Sequence, residues 1–170
     1  MKTMAHNLKL VFLLTISEHI HAQTCYENIP RTAPDNRYEL VVGSGGSEVL
    51  DKQTKLVWLR CSFGQRWSGT TCVGTASTHD WVDALKQAKN YGNNYRLPNI
   101  KELESLVEVS CKSSSINENM FPTTAGFYWS SSPMKFNGLE AWYISFLYGA
   151  SSGYSIEKSN KLFIRLVRDQ

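Results

Sequence analysis

The sequence predicts a single α+β domain held together by two disulfides. Two helix-like segments lie in the middle of the chain, short strand-like segments lie on both sides of them, and the 170 residues include four cysteines. Strands followed by helices and then by more strands are typical of an α+β fold, here with a mixed or antiparallel sheet. The apolar content of 42% is sufficient for a packed core, and the length fits one domain.

The first helix is predicted within residues 77–92. Apolar residues recur every three or four positions from Trp81 to Ala88, which places them on one helical face. Ser77 or Thr78 can cap the start of this helix, and Gly92 follows its end.

The second helix is predicted at residues 99–110, directly after Pro98. Asn99 and Glu102 have the spacing of a capping box. We therefore expect a structural role for this motif, in which Asn99 caps the helix, Pro98 fixes its entry and Arg96 holds a carboxylate or a backbone carbonyl. The alternative is that Arg96, Asn99 and Glu102 line a cleft. Capping alone accounts for the spacing, so the structural role is favoured.

Segments rich in β-branched and aromatic residues flank the helices and predict strands at residues 38–42, 56–60, 127–133, 141–149, 153–157 and 161–168. A glycine-rich turn is predicted at residues 43–46. In the fourth of these segments Trp142, Ile144 and Phe146 alternate with their neighbours, which predicts one apolar face. Trp58 and Trp81 also lie on apolar faces, and we expect them in the core together with Trp142.

The N-terminus has the pattern of a cleaved export signal at residues 1–22, which leaves residues 23–170 as the domain. Lys2 and Lys9 supply positive charge, residues 8–16 form a short apolar core, and Ala22 precedes the cleavage point. An uncleaved N-terminal anchor is the alternative. All four cysteines follow Ala22, and His79 is the one histidine after it.

An even number of cysteines in an exported chain predicts disulfides. Four cysteines allow three pairings. Cys61 and Cys72 flank a short turn rich in glycine and serine, so a local bridge between them is the simplest pairing. It leaves Cys25 to pair with Cys111. A zinc site is disfavoured because the sequence has no C-x-x-C spacing.

The charge and hydropathy patterns exclude two classes of partner. A net charge of +3 is weak, and a nucleic-acid-binding domain usually has a clustered basic face. No stretch approaches the roughly 18 apolar residues that a membrane-spanning helix needs. The chain also lacks a D-x-D-x-D-G calcium loop, so no metal and no other cofactor is expected.

Several motifs resemble the Lcl C-terminal domain family: TKLVWLRCSFGQRW, YRLPNIKELESLVEVSC, INENMFPTT, YWSSSP and FIRLVR. The resemblance runs from about residue 25 to residue 168. It implies an exported bacterial protein with a fold related to C-type lectins. The namesake domain ends a trimeric, collagen-like surface adhesin that binds sulfated glycosaminoglycans. No collagen-like G-x-y run is present here, so adhesion and trimerisation are not carried over with the fold.

The leading functional hypothesis is a binding module outside the cytoplasm, either secreted or at the periplasm or cell surface. Its ligand would be an anionic polysaccharide or a surface protein, and an oligomer is compatible with this role. Trp67, beside Arg66 in the Cys61–Cys72 loop, is a candidate for an exposed contact. A basic, tyrosine-rich C-terminal third supplies the other candidates, which are Lys135, Tyr143, Tyr148, Tyr154, Lys158, Lys161 and Arg165. Solvated basic side chains without a ligand are the alternative.

Two other functions stay open. The segment RLPNIKELE is similar to a segment of formylglycine-generating enzymes, although no cysteine follows Cys111 to supply their late cysteine pair. A structural subunit of a surface assembly also fits an exported, disulfide-bonded domain. Serine catalysis at residues 130–132 is not expected, because there is no G-x-S-x-G elbow and His79 is the one histidine available as a base.

Overall fold

The computed structural model describes residues 23–124, 126–147 and 154–170. The predicted export signal at residues 1–22 and the candidate ligand residue Tyr148 lie outside the described residues.

In the described part of the chain, the fold consists of two helices and a set of short strands. The helices are α1 (Trp81–Tyr91) and α2 (Ile100–Glu104), and a 3-10 turn covers Asp35–Arg37. The strands are β1 (Thr24–Cys25), β2 (Tyr38–Leu40), β3 (Glu48–Asp51), β4 (Leu56–Leu59), β5 (Arg66–Trp67), β6 (Cys72–Val73), β7 (Thr78–His79), β8 (Cys111–Lys112), β9 (Phe127–Pro133), β10 (Glu140–Ser145), β11 (Tyr154–Glu157), β12 (Leu162–Phe163) and β13 (Val167–Asp169).

The strands form two larger sheets and two small ribbons. One sheet has the order β11-β10-β9-β12-β7 and the other has the order β13-β4-β3-β2, while β1 pairs with β8 and β5 with β6. The pair β12–β9 is parallel and the other pairs of named strands are antiparallel. The predicted α+β class with two helices and a mixed sheet is therefore confirmed, and the architecture is consistent with a C-type-lectin-like fold.

The core consists of two apolar clusters. Trp58 and Leu103 lie in the first, and Ala84 of α1 lies in the second. Tyr128 and Trp129 are adjacent on β9 but belong to different clusters, as expected for neighbours that point to opposite faces of a strand. The five-stranded sheet thus contributes side chains to both clusters.

Helix α1 starts later than the sequence predicts. Its cap is Asp80, whose side chain accepts a hydrogen bond from the Asp83 amide at 2.9 Å, so the predicted caps Ser77 and Thr78 are wrong. Thr78 is instead taken up by β7, which pairs with β12. The helix ends at Gly92 as predicted, with a positive φ of 82°.

Helix α2 has the predicted cap but not the predicted length. The capping box of Asn99 and Glu102 is complete. The helix ends at Glu104 and not at residue 110, because residues after it form hydrogen bonds with distant parts of the chain. Val107 forms a bridge with Ile116, and the buried Glu108 carboxylate accepts a hydrogen bond from the Ala33 amide at 2.9 Å.

Strand β10 does not keep the predicted alternation. Its register against β9 shifts between Ala141 and Tyr143, so Ala141 is buried while Trp142 is partly exposed. Ile144 and Phe146 are buried as expected, and the core position of Trp142 is wrong. Trp58 is fully buried, and Trp81 packs at the margin of the second cluster.

Both predicted disulfides are present. Cys25–Cys111 joins residues that are 86 positions apart, and Cys61–Cys72 joins residues that are 11 apart. The first ties β1 to β8, where the two cysteines are direct cross-strand partners. The second closes the segment that carries β5 and leads into β6. No cysteine thiol is free.

Candidate functional site

A cleft of about 720 Å³ opens beside the Cys61–Cys72 disulfide. Its walls come from the glycine-rich turn between β2 and β3, the segment from Leu59 to Gly69, and the end of α1. Three aromatic side chains line it, together with several serines and one charged side chain. The aromatic residues are Phe63, Trp67 and Tyr91, and the charged residue is Arg66.

The indole ring of Trp67 is supported by the guanidinium of Arg60, which lies 3.7 Å from its ring centroid. Arg60 is buried, and it donates to the carbonyls of Met120 at 2.8 Å, Asn119 at 2.7 Å and Gly46 at 3.0 Å. Because these three bonds come from different nitrogens, the plane of the guanidinium is fixed. Trp67 therefore rests on a rigid cation.

Gly46 packs against the edge of the same indole. A Cβ at this position would lie 3.1 Å from Trp67 Nε1, and the backbone has a φ of +83°. Glycine is favoured at this position both by the backbone conformation and by the space that Trp67 takes.

The strand that carries Trp67 is held by the disulfide. Trp67 is the cross-strand partner of Cys72, and Cys72 is bonded to Cys61. A two-stranded ribbon alone is marginally stable, so the covalent link stabilises the position of Trp67. The cleft wall is thus arranged before any ligand binds.

The charges around the cleft are three arginines and one carboxylate: burial and then Glu48 raise the pKa of Tyr91, which lines the cleft. Arg66 is exposed at the lining, and Arg60 lies behind Trp67. Arg165 is fully buried next to them and donates to the carbonyls of Leu59 at 3.0 Å and Arg60 at 2.7 Å. Among the described residues, none of the ion pairs within 4 Å involves these three arginines. Burial lowers the pKa of both Arg60 and Arg165.

The prediction that Arg165 belongs to a surface patch is wrong. Its side chain is 0% exposed and packs over the rings of Phe121 and Tyr128. Its terminal nitrogen also donates to Thr124 Oγ1 and, at 3.4 Å, to Ser62 Oγ. The residues that follow β12 are buried, so an arginine there satisfies backbone carbonyls and contributes its charge to the interior.

The predicted lysines lie away from the cleft. Lys158 Nζ is 4.4 Å from the ring centroid of Trp81 and donates to the Gly138 carbonyl at 2.7 Å. Lys135 Nζ is 5.6 Å from the ring centroid of its neighbour Phe136. Lys135 therefore lies in the turn between β9 and β10, and Lys158, which follows β11, contacts the same turn.

The remaining candidates are also separate from Trp67. Lys161 forms an ion pair of 2.8 Å with Asp80 at the start of α1. Tyr143 and Tyr154 face each other across β10 and β11, with ring centroids 5.8 Å apart. None of these three side chains lines the cleft. Of the described candidates, Trp67 alone lies there.

The RLPN segment has the contacts of a structural motif. Arg96 binds the Glu102 carboxylate through two nitrogens at 2.7 and 2.8 Å, and it reaches Asp169 at 3.1 Å. The Asn99 amide donates to Glu102 at 2.7 Å. The Pro98 carbonyl accepts from the Ser131 amide at 2.7 Å, which joins the helix entry to β9.

The sequence did not point to Arg60, Phe63 or Tyr91 as members of a site. Arg60 ends a strand that reads as buried, and Tyr91 ends an amphipathic helix. Arg60 and Phe63 lie in one segment and Tyr91 lies at the end of α1, and only the fold brings the two parts of the chain together at one cleft. The closeness of Arg60 to the disulfide-bonded loop is the one signal that the sequence offered.

A comparison with family models matches the Lcl C-terminal domain over residues 47–168. The chain belongs to the Lcl C-terminal domain family. The matched range includes Arg60, Trp67 and Arg165, and it includes the Cys61–Cys72 disulfide. A comparison with curated proteins finds no match.

Family membership and two disulfides identify an extracytoplasmic domain. In the described part of the chain, no helix is both long enough and apolar enough to span a bilayer. All four cysteine sulfur atoms are in disulfides, so the alternative of a cysteine-based, formylglycine-type enzyme lacks a free thiol.

Proposed function

We propose that this Lcl C-terminal domain is a binding module for an anionic glycan, which it holds in the cleft beside Trp67. The observation that carries the proposal is the stack of Trp67 on a buried arginine, in a cleft whose described lining residues include no carboxylate. An aromatic ring and a positive field are the two features that a negatively charged sugar requires.

The aromatic part of the site suits the apolar face of a sugar ring. Arg60 covers one face of the Trp67 indole, so a ligand in the cleft would meet its other face or its edge. Phe63 and Tyr91 provide further apolar surface, and Gln65 and Ser68 provide hydrogen-bonding groups. A mainly apolar cleft with a few polar groups is typical of small-ligand sites, and about 720 Å³ lies within their usual size.

The charged part of the site favours a sulfate or carboxylate on that sugar. Arg66 is exposed and can bind such a group directly by charge-assisted hydrogen bonds. Arg60 and Arg165 would act through their field, because both are buried and form no ion pair among the described residues. Charge in a low-dielectric wall is screened less than charge at an open surface.

The proposed setting is the periplasm, the cell surface or the medium of a bacterium, as the family resemblance implies. A glycan ligand would make the domain a candidate adhesin. A surface protein that carries a similar anionic sugar or acidic group is the alternative partner within the same binding chemistry.

The test is the binding of defined oligosaccharides by titration calorimetry at low and moderate salt. We expect sulfated fragments to bind more tightly than their desulfated forms, with an affinity that falls as salt rises. Trp67→Ala should weaken binding roughly tenfold or more, as for an aromatic hot spot, and Arg66→Gln should weaken binding and its salt dependence.

The matched control is the double variant Lys135→Gln, Lys158→Gln, which removes positive charge from the β9–β10 turn and leaves the cleft intact. The proposal requires this variant to bind like the parent domain. Loss of binding in the lysine variant, with full binding in Trp67→Ala, would move the site to the turn. No binding of any charged glycan at low salt would reject the glycan ligand.

A further inference from the structure

A hydrogen-bonded chain of serine, histidine and carboxylate lies at the start of α1. Ser77 Oγ is 2.8 Å from His79 Nε2, and His79 Nδ1 is 2.6 Å from Asp83 Oδ2. A carboxylate only accepts, so Nδ1 donates a proton to Asp83, and in the neutral form of the ring Nε2 then presents its lone pair to Ser77. This is the arrangement of nucleophile, base and orienting group in serine hydrolases, which is recognised by geometry and not by sequence order.

The local sequence explains the arrangement. Ser77 and His79 are two residues apart at an edge strand, so their side chains share one face. Asp83 lies four residues after His79, in the first turn of α1. Gln87 Nε2 donates to Asp83 Oδ1 at 3.1 Å, which leaves Oδ2 for the imidazole. The hydrogen bond from His79 is the largest effect that holds the pKa of Asp83 below its ordinary value.

The chain of groups adjoins the cleft. The Phe63 ring, which lines the cleft, lies 5.5 Å from the His79 ring and 6.3 Å from the Tyr91 ring, measured between centroids. Ser77 is partly exposed, and His79 keeps 14% of its side-chain surface exposed. The Phe63 ring therefore connects the lining of the cleft to the imidazole of His79.

Gly64 brings the cleft wall close to the serine. A Cβ at Gly64 would lie 3.0 Å from Ser77 Oγ and 2.9 Å from the Ser77 amide nitrogen, and the backbone has a φ of +92°. Among the described residues, the Gly64 amide has no hydrogen-bond acceptor. This amide is a candidate donor for an oxyanion that forms at a carbon bonded to Ser77.

We propose that Ser77, His79 and Asp83 form an ester-hydrolysing site for O-acyl groups on the bound glycan. The identity of the substrate rests on the proposed glycan function, whereas the reactivity of Ser77 toward simple esters does not. Ser77 and His79 are the catalytic residues, and Asp83 and Gln87 are positioning residues.

The reaction has two balanced steps. Ser77 Oγ attacks the ester carbonyl carbon while His79 Nε2 takes its proton, and the ester C–O bond breaks as His79 returns that proton to the leaving sugar oxygen. Water then attacks the acyl-serine, His79 takes a proton from the water and returns it to Ser77, and a carboxylic acid leaves. The sum is ester plus water giving alcohol plus acid.

The first experiment treats the intact, disulfide-bonded protein with a fluorophosphonate and locates the adduct by peptide mass spectrometry. We expect one phosphonyl group on Ser77 and an accompanying hydrolysis of p-nitrophenyl acetate. This measurement needs no variant, so it is independent of any folding defect. A folded protein that gains no adduct at Ser77 would overturn the proposal. The hydrogen bonds among Ser77, His79 and Asp83 would then only link β7 to α1.

The second experiment uses variants on the same ester. His79→Gln should lower the hydrolysis rate by roughly 10²–10⁴-fold, the usual contribution of a general base, and Ser77→Ala should abolish turnover. Asp83→Asn should lower the rate and change its pH profile. Thr78→Ala, an exposed neighbour within β7, is the control that should keep the parent rate. Equal rates in Ser77→Ala and the parent would reject the site.

The two proposals fail separately. Trp67→Ala is judged by its glycan affinity and Ser77→Ala by its hydrolysis of p-nitrophenyl acetate, so each proposal has a readout of its own. Hydrolysis without glycan binding would reject the glycan function and keep the ester site. Glycan binding without hydrolysis would reject the ester site and keep the binding module.

Discussion

The guanidinium carbon of Arg60 lies 3.7 Å from the ring centroid of Trp67, and three carbonyl oxygens fix the guanidinium in that place. A partly exposed tryptophan on a short ribbon would be mobile without such support. The hydrogen bonds of Arg60 therefore stabilise the domain and also hold Trp67 in position at the cleft. A change in either residue should affect both.

Replacing Arg60 by methionine should destabilise the domain by about 2–4 kcal/mol, because three partly buried carbonyls would lose their donor. Affinity for the charged glycan should fall as well, since both the support of Trp67 and the positive field are lost. Urea unfolding and calorimetric titration measure the two effects. Arg60→Lys keeps the charge but not the planar fork, so it should recover only part of the stability. Stability equal to that of the parent would contradict this role of Arg60.

Two glycines in the same turn separate backbone strain from contact with Trp67. Gly43 and Gly46 have nearly equal φ values of +85° and +83°, but only a Cβ at Gly46 would press on the indole. Gly43→Ala and Gly46→Ala should each cost about 1–2 kcal/mol from the left-handed backbone. Only Gly46→Ala should also weaken glycan binding. Equal binding by both variants would show that the position of Trp67 does not matter.

The two disulfides should have different effects when each is removed by a pair of serine substitutions. In the loop-closure model, a bridge across 86 residues stabilises by about 4–5 kcal/mol and one across 11 residues by about 3 kcal/mol. Loss of Cys25–Cys111 should therefore lower Tm more. Loss of Cys61–Cys72 should lower glycan affinity more, since it frees the strand that carries Trp67. Calorimetric scans and binding titrations on both variants compare these outcomes.

The sequence predicted the features that depend on local patterns. The capping box, the glycine at the end of α1 and the Cys61–Cys72 disulfide follow from spacing within short segments, and Cys25–Cys111 follows as the pair that remains; each is present. The length of α2 could not be predicted in this way, because its end depends on contacts that Val107 and Glu108 make with distant residues.

The candidate site was harder to predict for the same reason. Basic residues in the C-terminal third suggested a shared surface, but their positions are set by long-range packing. Arg165 is buried among carbonyls, and Lys158 lies over Trp81. The cleft is lined by residues from three separate segments. Of these lining residues, the sequence had pointed to Trp67 alone as a ligand contact. Polarity indicates which side chains can bind an anion, whereas tertiary structure decides which of them meet.

Stability should fall in acid because of two carboxylates whose pKa values are lowered in the folded state. Burial by itself would raise the pKa of Glu108, but hydrogen bonds from Ala33, Ser110 and Thr32 outweigh it. For Asp51, the hydrogen bonds from Arg37 and Thr54 likewise outweigh burial. A lowered folded pKa adds stability that is complete above the unfolded value and is lost as the pH falls through the folded value.

Glu108→Gln tests this acid dependence. The ordinary pKa values of these groups are 4.5 for glutamate and 3.8 for aspartate, so the loss in the parent should begin below about pH 4.5. The variant should be less stable by about 1–3 kcal/mol at pH 7. Its stability should decline less steeply in acid than that of the parent, because Asp51 is then the one of the two carboxylates that is still protonated as the pH falls. Glu39→Gln, on the exposed side of β2, is the control that should follow the parent curve. A parent whose stability is constant from pH 7 to pH 3 would contradict the prediction.

Arg165 offers the clearest separation of a buried structural cation from a surface ligand contact. Arg165→Met removes the donors to the Leu59 and Arg60 carbonyls and to Thr124, so it should destabilise the domain by about 3–5 kcal/mol. Lys158→Gln removes a basic side chain that contacts the β9–β10 turn, and it should cost about 1 kcal/mol or less, through the lost contact with the Trp81 ring. Urea unfolding of both variants, compared at equal ionic strength, measures the difference. If Arg165→Met left the unfolding curve unchanged but abolished glycan binding, the role of Arg165 as a buried structural cation would be wrong and a direct contact with the ligand would replace it.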